Sequence, residues 1–189
     1  ERFFRGLLAA VLPHPARFRL ALLFAPLGRP LLPLLRAVPA LRPLAAMLEL
    51  APASLPDALP LHDSRVADAK GRVTLLQGCA EPVLRPEIRP ATLRLLQRCG
   101  HEVILAPGEG CCGALVHHMG REGDAKDAAR RNIDAWMREI DGKGLDAILI
   151  TASGCGTSIK DYGFLLRDDP AYAAKAARVS ALALDVSEY

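Results

Sequence analysis

The sequence predicts an α/β fold: a three-layer parallel sheet of Rossmann-like type, preceded by a proline-broken helical arm. Three observations carry this. Short apolar runs at residues 73–77, 102–105 and 147–150 alternate with longer stretches of helical periodicity. Each of the three runs leads into a glycine-bearing turn. Ten of the fifteen prolines lie between Pro13 and Pro60, which separates an irregular N-terminal arm from a regular remainder. Alternation of strand and helix at these lengths requires right-handed crossovers and therefore parallel strands.

The elements follow in order. Residues 1–60 are read as the helical, proline-rich arm and residues 61–189 as one cysteine-rich α/β domain. Val73-Thr74-Leu75-Leu76-Gln77 is a buried strand ending at Gly78-Cys79. Residues 86–98 form a helix with Ile88, Thr92, Leu95 and Leu96 on one face and Gly100 just past its end. Glu102-Val103-Ile104-Leu105 is the second strand and runs into Pro107-Gly108-Glu109-Gly110-Cys111-Cys112. Residues 123–140 carry the clearest helical stripe: Ala125, Ala129, Ile133, Trp136, Met137 and Ile140 oppose Lys126, Arg130 and Glu139. Trp136 is thereby assigned to the core. Ala147-Ile148-Leu149-Ile150 is the third strand and runs into Ser153-Gly154-Cys155-Gly156; helices are expected over 157–166 and 170–182.

Composition narrows the function classes. At 189 residues and 51% apolar content the chain buries a sizeable core. A formal net charge of +3 and 5% aromatic residues give neither a basic surface nor stacking platforms for nucleic acid. Five cysteines, an odd number at irregular spacing, fit a reducing compartment better than a disulfide scaffold, so the chain is expected in the cytoplasm. The apolar N-terminal stretch is interrupted by Pro26, Pro30, Pro33, Pro39 and Pro43 and by Arg29, Arg36 and Arg42. On that ground no run reaches the roughly 20 residues of a spanning helix. The arm is read as helices packed on the rest of the protein, with partner or interfacial membrane contact as the alternative. The chain opens on Glu1 without methionine, which reads as a piece of a longer protein.

The chemistry lies in thiols. Cys79, the adjacent pair Cys111-Cys112, and Cys155 are separated by gaps of 31 and 42 residues. Loops that follow successive parallel strands open at the same carboxyl edge of a sheet, where ligands bind in such folds. All three predicted strand-end loops carry cysteine, so the four sulfurs are expected to meet. A vicinal pair does not readily close a disulfide on itself, yet it can give two thiolates to one soft metal or cluster. The flanking glycines allow the close backbone approach such a site requires. Cys79, Cys111, Cys112 and Cys155 are therefore the candidate metal ligands. Four thiolates suit zinc or iron–sulfur; ligands spread over nearly 80 residues do not resemble the close pairs of a zinc ribbon.

Other motifs carry less. Gly108-x-Gly110-x-x-Gly113 matches a dinucleotide fingerprint in letters only. The acidic residue at the required distance, Asp134, falls inside the 123–140 helix, and two of the intervening residues are cysteines. Cys99 extends the apolar side of its helix and is read as a buried structural thiol. His117 and His118 follow the cysteine pair by a turn and are read as a helix-surface pair, with a role near the site as the alternative. Lys160 is a candidate counter-charge to the thiolates. No nucleophile–base arrangement is found, so no catalytic residue is assigned.

Gly78-Cys79, then Gly110-Cys111-Cys112-Gly113-Ala114, then Ser153-Gly154-Cys155-Gly156-Thr157-Ser158 resemble the CCG (cysteine-rich) domain family. The likeness is nearest to the iron–sulfur subunits of bacterial glycolate oxidases (glycolate dehydrogenases), over about residues 70–189. The resemblance implies the first of two such repeats in an electron-transfer subunit with iron–sulfur clusters of the 4Fe-4S kind. It implies flavin-bearing glycolate oxidase subunits as partners, which oxidise glycolate to glyoxylate. Electrons would pass towards the membrane quinone pool, with peripheral association of the complex at the inner face of the membrane. The chain's likeness to a related CCG protein, heterodisulfide reductase, gives a catalytic cluster domain as one alternative; a structural zinc-binding domain that joins subunits is the other. The related third element is usually Cys-x-x-Cys; here Ser158 stands at its last position. One thiolate fewer favours a simpler four-cysteine site, or zinc, over a noncubane cluster.

Overall fold

The computed structural model describes residues 2–60 and 62–189. Its centre is a sheet of strands β1 (Gly71–Leu75), β2 (His101–Ile104), β3 (Ala147–Ile150) and β4 (Ala183–Asp185), all parallel and ordered β2-β1-β3-β4. The register pairs Val73 with both Val103 and Ala147, and Leu149 with Leu184. The sheet is covered on both faces, which explains why β3 reads as a continuous apolar run without alternation. Ile148 and Ile150 pack with Ile133, Trp136, Ile159 and Val179 on one side. Val73, Leu75, Val103, Ala147 and Leu149 pack with Leu96 on the other. The α/β parallel-sheet expectation is met. Burying one such fully enclosed isoleucine stabilises the fold by about 1.5–3 kcal/mol.

The helices of this part are α5 (Glu81–Leu84), α6 (Ile88–Arg98), α7 (Ala114–His118), α8 (Glu122–Gly142), α9 (Ser153–Lys160), α10 (Tyr162–Leu165) and α11 (Ala173–Leu182). The stripe foreseen on α8 is buried from Ala125 to Met137, and Trp136 has no exposed surface. Gly100 closes α6 with φ +89, the left-handed conformation that glycine reaches without a Cβ penalty.

Several expectations are corrected. On α6, Leu95 is exposed, while Arg89 joins Thr92 and Leu96 on the buried face. Cys99 is exposed at the end of α6 and is no buried thiol. Helix α9 begins at Ser153, so Cys155 sits in a first helical turn and not in a loop before one. β4 is an addition: three residues continue directly from α11 and pair with β3.

The N-terminal part is helical, with α1 (Arg2–Val11), α2 (Pro15–Gly28), α3 (Leu32–Ala37) and α4 (Arg42–Leu50); short 3₁₀ turns join α2 to α3 and α3 to α4. Prolines sit at the first turns of α2, α3 and α4, where a missing N–H costs nothing; only Pro26 lies inside a helix. Because prolines at helix starts do not end helical continuity, Pro15–Ala37 is long and apolar enough to cross a membrane by length and composition alone. That overturns the expectation that no run reaches that length. Leu20, Leu23, Phe24 and Leu27 on α2 are exposed.

Candidate metal centre

The three cysteine-bearing turns converge at the carboxyl edge of the sheet. Their thiols form a chain of contacts: Cys79 with Cys111, Cys111 with Cys112, and Cys112 with Cys155. Cys111 is the acceptor in this chain. Hydrogen bonds from the Cys112 and Cys79 thiols pull its own pKa down to about 3 against the opposing effect of burial, helped by the Gly113 N–H and the Arg131 guanidinium. The same contact with Cys111 pushes Cys79 and Cys112 upward, and burial adds to both. Cys155 is lowered by its hydrogen bond with Cys112. Cys111 and Cys155 are thus favoured as anions while Cys79 and Cys112 hold their protons more firmly, because hydrogen bonds donated to a charged group favour its charged form.

Backbone amides face the sulfurs: Ala80 N–H towards Cys79, Gly113 N–H towards Cys111 and Ala114 N–H towards Cys112. Gly113 makes this possible. Its φ is +86, and a Cβ there would meet the Ala125 carbonyl oxygen and Ala128 Cβ at 3.1 Å. The turn therefore packs directly on α8, and any side chain at 113 would lift the sulfurs away.

Two residues of the opposite wall clamp the Cys111-Cys112 backbone. Asn132 accepts from Gly110 N–H at 2.8 Å and donates from Nδ2 to the Cys111 carbonyl at 3.1 Å. Tyr162, buried, donates to the Cys112 carbonyl at 2.7 Å and accepts from Asn132 at 3.2 Å. Burial raises the pKa of its phenol, so it stays a donor.

Glu109 ties the first turn to the second. Its carboxylate accepts from Gln77 N–H at 2.8 Å and from Trp136 Nε1–H at 2.6 Å. Burial raises its pKa to about 7 despite these donors and the Arg89 charge. The raised value fixes the sign of a pH effect. Between its ordinary value of 4.5 and about 7, the folded chain keeps a proton that the unfolded chain has released. Stability from this group is full at low pH and falls by about 3 kcal/mol as pH rises through that window. Denaturant unfolding of the metal-free protein at about pH 5 and about pH 7.5 should therefore show a larger drop for the wild type than for Glu109→Gln; equal drops would refute it.

Of the remaining sequence candidates, His117 and His118 are exposed and stacked on each other, as a helix-surface pair. They line an open cavity of about 670 Å³ that also reaches Cys112 and Ser158. Lys160 is engaged by Glu188 at 2.6 Å, which corrects its reading as a counter-charge for the thiolates. Sequence reasoning missed Glu81, Arg89, Glu109, Arg131, Asn132 and Tyr162, because polar residues in helices and loops carry no mark of burial.

The residues present fit an iron–sulfur group. The donors are soft sulfurs, amide N–H groups face them, and Glu81 Oε1, two residues after Cys79, is buried without a hydrogen bond. A single zinc ion asks for four ligands in one tight tetrahedron. Among the described residues no three His, Cys, Asp or Glu side chains are arranged to hold one metal ion. The zinc reading is left without support.

Residues 73–160 match the family described as CCG, cysteine-rich domain. This stretch is a CCG domain. The chain is also 40% identical over 188 residues to the glycolate oxidase iron-sulfur subunit of Escherichia coli K12, covering the whole of this chain and 42% of that protein. It is 35% identical over 112 residues to the probable glycolate oxidase iron-sulfur subunit of Bacillus subtilis 168, covering 59% of this chain and 24% of the relative. Lactate utilization protein A of Bacillus licheniformis is 29% identical over 118 residues, 62% of this chain and 47% of that protein. The chain thus spans less than half the length of each of these relatives. No solved structure matches it.

Within the CCG domain, the four contacting thiols are the cysteines that the sequence motif singles out. The cysteine outside the motif, Cys99, is outside the contact chain as well.

Proposed function

We propose that this chain is part of the iron–sulfur subunit of a glycolate oxidase (glycolate dehydrogenase) and that Cys79, Cys111, Cys112 and Cys155 ligate its cluster. Residues 1–60 would be the arm and 61–189 the cysteine-rich domain. The observation that carries the reading is the unbroken chain of thiol contacts drawn from three separate turns. The relatives' names, glycolate oxidase iron-sulfur subunit above all, supply the reaction.

When bound, a cluster supplies one-electron transfer. The chain's own contributions are structural and electrostatic. Gly113 lets the vicinal turn seat against α8, and Asn132 and Tyr162 hold its carbonyls. Amide N–H groups and Arg131 favour the thiolate form that binds metal. Oxidation of glycolate to glyoxylate is placed on a flavin-bearing partner subunit, with electrons leaving through this subunit. The complex would be cytoplasmic, touching the inner face of the membrane where a quinone acceptor lies.

The test is iron and sulfide analysis with electron paramagnetic resonance on the intact, anaerobically prepared polypeptide, alone and with its flavin partner. A centre that is lost when these cysteines are changed, and that glycolate reduces in the complex, is expected. Absence of any centre dependent on these cysteines would sink the proposal. Because a relative is named for lactate utilization, lactate is run beside glycolate. Equal reduction by both would widen the substrate to short 2-hydroxy acids.

A further inference from the structure

Arg89 is 6% exposed, on the face of α6 that packs inward. A guanidinium this deep is normally tied by carboxylates or carbonyls, because an uncompensated buried charge is costly. Here neither Nε nor Nη2 has a hydrogen-bond partner. Its nearest charges are Glu81 and Glu109, which act on it through space. Glu81 shows the complementary pattern. Oε2 accepts from Thr151 at 2.6 Å, while Oε1 is buried and unpartnered. Glu81 adjoins the sulfurs, and Arg89 is linked to it electrostatically. Glu81 lies two positions after Cys79 and acts on Cys155 electrostatically. Together with Cys79, Cys155 and Thr151 it lines a small cavity of about 70 Å³. Arg89 acts through space on Glu81 and on the Glu109 carboxylate that holds Gln77.

Two opposite charges, both turned inward and each with buried atoms left without hydrogen bonds, do little as a stabilising ion pair. In a site of low effective dielectric they act strongly on any third charge that changes. We propose that Arg89 and Glu81 are positioning charges that set the reduction potential of the thiolate-held centre, Arg89 favouring the reduced form and Glu81 the oxidised one. This rests on the cluster reading above and deepens it. Reduction adds one electron and hence one negative charge; a fixed cation beside it stabilises the product and a fixed anion opposes it.

The experiment is a redox titration of the intact polypeptide that contains this chain. Dithionite is the electron source, spin resonance the readout, at about pH 8, and the signal is defined by its loss in Cys112→Ser. Arg89→Met is expected to lower the reduced-to-oxidised ratio at a fixed potential by about tenfold, which for one electron is about 59 mV. Glu81→Gln is expected to raise that ratio, and Arg89→Lys to restore most of the wild-type value. Wild-type behaviour in Arg89→Met at full iron content overturns the proposal, as do shifts of the same sign in Arg89→Met and Glu81→Gln. If Arg89→Met does not accumulate, Glu81→Gln decides: an unchanged ratio overturns it. No signal lost in Cys112→Ser sinks the site reading and this proposal with it. A signal lost there but unmoved by both charge variants sinks the proposal alone.

Discussion

Cys112→Ser should strip the intact protein of most of the iron bound at this site, while Cys99→Ser leaves the content at the wild-type level. The difference follows from position. Cys112 is 3% exposed and touches two other thiols of the chain, and its carbonyl is fixed by Tyr162. Cys99 is exposed at the end of α6 and belongs to no thiol contact of the chain. Losing one of four thiolates is expected to weaken metal binding on the order of tenfold or more. Serine is close in size, so the fold should persist, and circular dichroism of the metal-free variants checks that it does. Iron and sulfide assays decide the matter: equal losses from the two variants would mean that the ligand set is wrong.

Trp136→Ala should be the most damaging substitution outside the sulfurs. The indole is fully enclosed, stacks on Tyr162 with ring centroids 6.4 Å apart, and donates to Glu109. Removing it leaves a large cavity between α8 and the sheet, at a cost of about 3–5 kcal/mol. It also deprives a buried carboxylate of one donor. Trp136→Phe separates the two effects, because it refills most of the space and loses only the hydrogen bond, for about 1–3 kcal/mol. Denaturant unfolding of both variants is the measurement; a cost below about 1 kcal/mol for Trp136→Ala would show that the indole does not organise this core.

What could be read in the amino acids depended on how local the signal was. β3 was legible because four apolar residues stand between Leu145-Asp146 and a small-residue turn, and a strand covered on both faces needs no alternation. The core stripe of α8 was legible because helical periodicity repeats over five turns. The meeting of the cysteines followed from parallel topology alone. The start of α9 was not legible: Gly154 and Gly156 each cost about 1 kcal/mol in a helix, so propensity argued for a loop, and packing of Ile159 overrode it. β4 was hidden because three residues after a helix carry too little pattern of their own. The inward side of α6 was misplaced: Leu95, assigned to it, faces water, and the charged Arg89 is buried in its stead. Asn132 and Tyr162 have no neighbours in the chain that betray their task; only the fold puts them beside the vicinal turn.

The three sulfur-bearing turns are far apart in the chain and near in space only because β1, β2 and β3 are already in register. The entropy of closing those long loops is met by burial of Val73, Val103 and Leu149, atoms that never touch a thiol. On this basis the polypeptide is expected to condense first, and a cluster, were one bound at these sulfurs, to be loaded late on a finished scaffold. A chelator would then empty the protein without unravelling it, the reverse of what happens in small metal-nucleated fingers.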